Sequence, residues 1–188
     1  LDYQPNSIAK LIKFSNFINV DYPTEDITFA TIDLGYDNTT ISIIRNGTVY
    51  VSRVIEIGGK YIEQSILKFF EYDEDELKEV KGKFDSINQD VESQEYTSVF
   101  NIIKDSLNSL NERIEIVFRY FLSRETGNQI HMILLLGGNG NLNGLDRFYS
   151  NFFNIPSIKV KSMDKIAFDG KVYEYGNSIG ALIRRTGV

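Results

Sequence analysis

Residues 28–44 read TFATIDLGYDNTTISII. Residues 29–34 are an apolar run of strand length with one acid, Asp33, near its end. The polar tetrad Gly35-Tyr36-Asp37-Asn38 then makes a tight turn, and Thr39 and Thr40 lead into a second run. There Ile41 and Ile43 alternate with Thr40 and Ser42, the period of a strand. Glycine lets a backbone approach an anion closely, and turn amides and hydroxyls supply donors. The hairpin therefore has the chemistry to grip a phosphate. An ordinary hairpin uses the same residue types, because Asp and Gly are common in turns, so the rest of the chain has to decide.

Working outward, residues 48–56 form a third β-rich run, joined to the second by Asn46-Gly47, a dipeptide suited to two positive-φ positions. This predicts an antiparallel meander. Gly58-Gly59 breaks it, and residues 60–70 read as an amphipathic helix with Ile62, Ile66, Phe69 and Phe70 on one side. Asp73-Glu74-Asp75-Glu76 precedes Leu77, Val80 and Lys81; acids first and lysines last is the order a helix dipole favours, so this cluster reads as a helix start rather than a metal site. Residues 85–93 read as a loop. Residues 95–125 lack Gly and Pro, and their apolar positions from Val99 to Phe121 step by three or four, predicting one long helix stopped at Gly127. Its stripe reads as packing, with a partner groove as the other reading.

Residues 130–136 are almost wholly apolar, as in a strand covered on both faces, and end in Gly137-Gly138-Asn139-Gly140. His131 stands there without a Cys or carboxylate cluster and reads as structural. A helix over 142–153, a strand over 157–160 and a helix over 173–185 follow; Gly176, Ser178, Gly180 and Ala181 let the last helix approach another backbone. At the start, residues 1–4 read as a strand end, Asn6 or Ser7 as a helix cap after Pro5, and residues 16–26 as turns.

The chain has 188 residues, 42% of them hydrophobic, enough for one core or for a domain with a piece of another. Its net charge of −6, with no basic run, argues against nucleic-acid binding. Absence of cysteine excludes disulfides and thiolate metal sites. The longest apolar run, 132–136, is too short to span a membrane. The chain begins at Leu1 rather than Met, so a preceding segment is expected.

In order and spacing these motifs resemble the actin-like ATPase superfamily, whose lobes have a ribonuclease H-type fold. Ile32-Asp33-Leu34-Gly35 through Thr39-Thr40 is similar to its second phosphate motif, residues 135–145 (LLGGNGNLNGL) to its adenosine motif, and Asn177-Ser178-Ile179-Gly180-Ala181 to the helix facing the other lobe. Within the superfamily the chain resembles the PilM family of type IV pilus assembly proteins, relatives of FtsA. Arg45-Asn46-Gly47, Ile57-Gly58-Gly59 before a helix, the helix ending near Lys81, Gly144-Leu145 before a helix, and Ile155-Pro156 carry that likeness.

The resemblance implies an α/β actin-like lobe: a five-stranded mixed sheet with an antiparallel three-strand meander, flanking helices and a helical insertion subdomain. It makes residues 1–18 the remnant and connecting helix of a first lobe, 19–71 and 127–188 the core of the second, and 72–126 the insertion. ATP with Mg2+ is expected between two lobes, so one lobe alone is expected to bind nucleotide poorly. Asp33 would serve catalysis, or reach the metal indirectly through its bound water. Gly35, Asn38, Thr39 and Thr40 would hold the terminal phosphates; Gly137, Gly138 and Asn139 would accommodate ribose and adenine; Lys81 would flank the adenosine. A plain strand-to-helix turn and a solvated charged helix are the bland readings of the last two groups.

The implied function is a nucleotide-binding assembly protein of the pilus inner-membrane platform, cytoplasmic and peripheral at the inner face of the membrane. It would bind the cytoplasmic tail of a PilN-like membrane protein, mostly through the first lobe, and other platform and motor proteins, but no nucleic acid. Weak or absent ATPase activity is expected. The alternatives are an active filament-forming ATPase of the FtsA or actin kind and a sugar kinase of the same superfold.

Overall fold

The computed structural model describes residues 3–83, 87 and 94–184. Helix α1 (Gln4–Phe14) is followed by a ribbon of two short strands, β1 (Phe17–Ile18) and β2 (Tyr22–Pro23). The meander is β3 (Thr28–Leu34), β4 (Thr39–Arg45) and β5 (Thr48–Ile55). Three helices come next: α2 (Gly59–Phe70), α3 (Glu74–Lys83) and α4 (Gln94–Arg124). Strand β6 (Met132–Leu136) runs through a 3-10 turn at Gly138–Asn141 into α5 (Leu145–Phe153), and β7 (Ser157–Lys159) and α6 (Val172–Leu182) complete the order.

One sheet holds the molecule together, in the order β5-β4-β3-β6-β7. The meander is antiparallel, while β6 runs parallel to both β3 and β7. The mixed five-stranded sheet expected from the sequence is present. Parity explains the layering. Ala30, Ile32 and Leu34 join Ile41, Ile43, Ile133 and Leu135 in a core roofed by α2 and α4. Phe29, Leu134 and Leu136 face the other way, onto Ile8, Leu11 and Ile12 of α1 and Val172 and Tyr173 of α6. Each such large side chain stabilises the fold by about 1.5–3 kcal/mol on full burial. Both β3 and β6 are therefore covered on both faces; β6 is apolar throughout, while β3 places Thr31 and Asp33 on the side of α1 and α6.

The outer edge of β5 carries a bulge. Val51 pairs with Ile43 and Val49 with Ile44, so Tyr50 has no opposite residue in β4. The Arg45 guanidinium sits over its ring at 4.7 Å. A bulge twists an edge strand and makes it a poor template for another chain. The opposite edge, β7, is covered by the β1–β2 ribbon: the Asn19 carboxamide donates to the Lys159 carbonyl at 2.7 Å and accepts from the Lys161 and Ser162 amides. This ribbon lies where the sequence predicted only turns.

Several boundaries differ from expectation. Helix α1 already includes Gln4, and its cap position is Tyr3, without a side-chain bond, rather than Asn6 or Ser7. Pro5 is placed in the first turn, where its missing N–H leaves no helical bond unmade; Ser7 is buried within the helix. Helix α5 starts at Leu145, not Leu142, because Gly144 at φ +80 interrupts the chain. Helix α6 stops at Leu182, where Ile183 turns extended. Helix α3 begins as its acids predict. Asp73 Oδ1 accepts from the Asp75 and Glu76 amides while Glu76 returns a bond to the Asp73 amide, a reciprocal capping box. Leu1, Asp2 and the expected loop at 85–93, apart from Ile87, lie outside the described residues. Among the described residues no helix is long and apolar enough to cross a membrane.

Candidate nucleotide site

Asp33 shares its face of β3 with Phe29 and Thr31, and so points toward α1 and α6. Both helices supply a donor. Gln4 Nε2 lies 2.7 Å and Asn177 Nδ2 2.6 Å from the same oxygen, Asp33 Oδ2. The residue is only 9% exposed. Burial pushes its carboxyl above the usual carboxylate range, and the donors from Asn177 and then Gln4 pull it back without cancelling the rise.

The sign of the resulting pH effect is fixed. An acid with a raised folded-state pKa binds its proton more tightly folded than unfolded. Stability therefore falls as pH rises from the ordinary value of 3.8 through the raised one, and stays reduced above it. Asp33→Asn removes that deficit. Its melting temperature relative to wild type is expected to climb between about pH 4 and pH 7. A difference that stays flat or falls across that range would contradict the raised pKa.

The turn after β3 is fastened from several sides. The Gly35 amide donates to the Asn38 carbonyl at 3.0 Å. The first amides of α2 close on the turn, Gly59 on the Gly35 carbonyl (3.1 Å) and Lys60 on the Tyr36 carbonyl (2.9 Å). Asn139 Nδ2 reaches the same Gly35 carbonyl at 2.8 Å. The two large turn side chains are drawn back along α2: the Tyr36 hydroxyl donates to Glu63 at 3.1 Å, and Lys60 Nζ lies 3.5 Å from Asp37. That exposed ion pair adds little stability, but it offsets the negative charge of the turn.

Opposite the turn, Gly137 occupies φ 85, ψ 160, a region essentially reserved for glycine. A methyl group there would press on the Leu34 carbonyl oxygen and lie 2.6 Å from Asp33 Oδ1. At Gly138 and Gly140 a methyl group would meet nothing within 4 Å. Bare backbone thus lies next to the second oxygen of Asp33.

Asp33, Gly35, Asn38, Gly137, Gly138 and Asn139 are brought together, and Thr40 stands opposite Asp33 across the ladder. Thr39 does not join them. Its hydroxyl is fully buried and donates to the Ile57 carbonyl at 2.6 Å, because Thr39 shares the α2 face with Ile41. Its task here is to tie β4 to the approach of α2. Lys81 lies on α3, but its side chain is outside the described residues. His131 is structural: its Nδ1 accepts from the Thr28 amide at 3.0 Å, and its amide donates back to the Thr28 carbonyl. Gln4 and Asn177 were missed as site residues. The signal was the parity of β3, which turns Asp33 away from α2 and toward the two terminal helices.

The architecture is that of one lobe of an actin-like ATPase. MreB5 of Spiroplasma citri bound to AMPPNP superposes with a TM-score of 0.69 at 15% identity, over 94% of this chain and 56% of that one. An apo pSK41 ParM structure gives 0.55 at 19% identity, over 94% and 46%. The chain belongs to the family of the type IV pilus assembly protein PilM, whose family model matches residues 15–177. In keeping with this, a PilM–PilN type IV pilus biogenesis complex gives a TM-score of 0.69 at 20% identity, over 96% of this chain and 51% of that one. The chain spans about half the length of the solved chains it matches.

Proposed function

We propose that this chain is one wall of an ATP-binding cleft in a pilus assembly protein, with the opposite wall in a first lobe to which residues 1–18 connect. The observation that carries this is Asp33, placed between the Gly35 turn and the Gly137 loop with Oδ2 tied back and Oδ1 beside bare backbone. Residues 19–71 and 127–188 would be the core of this lobe and 72–126 its insertion.

The residues fit a magnesium nucleotide. The Gly137–Gly138 loop would take ribose and base, with open space at Gly138, and Gly35, Asn38 and Thr40 would line the phosphate side. Asn139 keeps the two loops in register through the Gly35 carbonyl. Among the described residues no group of three His, Cys, Asp or Glu side chains could hold a metal. Magnesium usually keeps several of its waters, so Asp33 suits contact through such a water. The bound metal would neutralise phosphate charge; Asp33 would accept a hydrogen bond from its water or from an attacking one. By the family resemblance alone, Lys81 would flank the adenosine. The family and the PilM–PilN complex support a PilN-like partner; its tail would bind mostly through the first lobe, at the inner face of the membrane.

The test is an amide-resolved NMR titration of the 188-residue chain with magnesium ADP. Shifts at Gly35, Asn38, Gly137 and Gly138 are expected, with affinity of the order of millimolar. Saturating shifts confined to other regions, or none, would refute the reading. The filament-type ATPase is the second reading, favoured by the buried carboxylate; phosphate release by a two-lobed protein, lost in Asp33→Asn, would support it.

A further inference from the structure

Asn177 stands on the buried stripe of α6, four residues after Tyr173 and three before Gly180, both buried. A carboxamide in such a stripe is costly unless fully bonded. Here it is half bonded. A carboxylate only accepts, so the Asn177 amide nitrogen must face Asp33. Its Oδ1 is then left buried, with no partner among the described residues. A leucine of similar size would avoid that unpaired acceptor. Packing therefore does not explain an asparagine at this position, but its effect on Asp33 does.

Terminal torsions of acidic side chains are broad. One donor would leave the Asp33 carboxylate free to turn. Two donors from different helices, both ending on Oδ2, define its plane. They consume Oδ2 and leave Oδ1 next to Gly137.

We propose that Asn177 is a positioning residue for Asp33: together with Gln4 it ties back Oδ2, and so makes Oδ1 the oxygen offered to the hydration shell of a magnesium nucleotide. This rests on the nucleotide-binding reading above. Asn177 itself touches no reacting group.

The test compares ADP affinity of the 188-residue chain with magnesium and with EDTA, in wild type, Asn177→Leu and Gln4→Met. The magnesium-dependent gain in affinity is expected to fall at least about threefold in each variant, while the affinity in EDTA stays within about twofold of wild type. Melting temperature of Asn177→Leu is expected to be equal or higher. An unchanged magnesium gain in both variants overturns the proposal and leaves nucleotide binding standing. Equal losses with and without magnesium also overturn it, since they indicate a merely structural role. If Asn177→Leu fails to fold, Gln4→Met, at an exposed helix start, decides alone. Absence of any ADP shift in wild type removes both readings together.

Discussion

Gly180→Ala is expected to lower the melting temperature by roughly 10 °C, from about 3 kcal/mol of overpacking in a chain of this size. The reason lies in what the new methyl group would meet. It would fall on the Ser7 carbonyl oxygen, and the Ser7 carbonyl carbon and Cα are close behind. These are backbone atoms of α1 and cannot rotate away. Relief requires α6 to move off α1, which would also draw Asn177 from Asp33. Gly176→Ala is the control on the same helix. Its methyl would lie 3.3 Å from Ile8 Cδ1, the far end of a flexible side chain. That substitution is expected to be near neutral, helped by about 1 kcal/mol of helix propensity. Thermal melts of the two variants check this; equal losses would show that the close crossing is not what makes Gly180 necessary.

Gly137→Ala is expected to be nearly as damaging, and through a different mechanism. The native φ 85, ψ 160 is costly for any L side chain, by about 1–3 kcal/mol. The methyl group also presses on the Leu34 carbonyl and on Asp33 Oδ1. The loop can escape only by flipping, which would break the bond from the Gly137 amide to the Tyr173 carbonyl, 2.7 Å long. A loss of about 3 kcal/mol or more is expected, with nucleotide-induced shifts abolished. Gly138→Ala, one residue on, faces open space and is expected to change stability by less than about 0.5 kcal/mol. Denaturant melts of the pair would separate a conformational requirement from general loop sensitivity.

The sheet was legible because its signals are local. Asn46-Gly47 announces the β4–β5 turn, and both residues adopt the positive φ expected of it. The apolar run before Gly137 had the length and composition of a strand covered on both faces, and β6 is buried at all but its first residue. The capping acids of α3 and the long stripe of α4 were equally plain. What escaped was set by distant partners. Residues 17–23 look like turn, yet they pair because Asn19 finds the edge of β7, 140 residues away in sequence. Thr39 and Thr40 look alike, but strand parity sends one to the α2 side and the other to the side of Asp33. Gln4 and Asn177 lie 29 and 144 residues from Asp33, and no local pattern marks either as its donor.

The two fastenings of the Gly35 carbonyl bear on the order in which the chain folds. The meander and the start of α2 are close in sequence, so the bond from the Gly59 amide can form early. The bond from Asn139 spans 104 residues and needs β6 seated beside β3. Closing a loop of that length costs on the order of 4 kcal/mol in chain entropy before its contacts repay it, and parallel pairing of this kind is slow. The Gly35 turn therefore takes shape first and its facing loop arrives last. Refolding followed at the Gly35 and Gly137 amides should report the first well before the second.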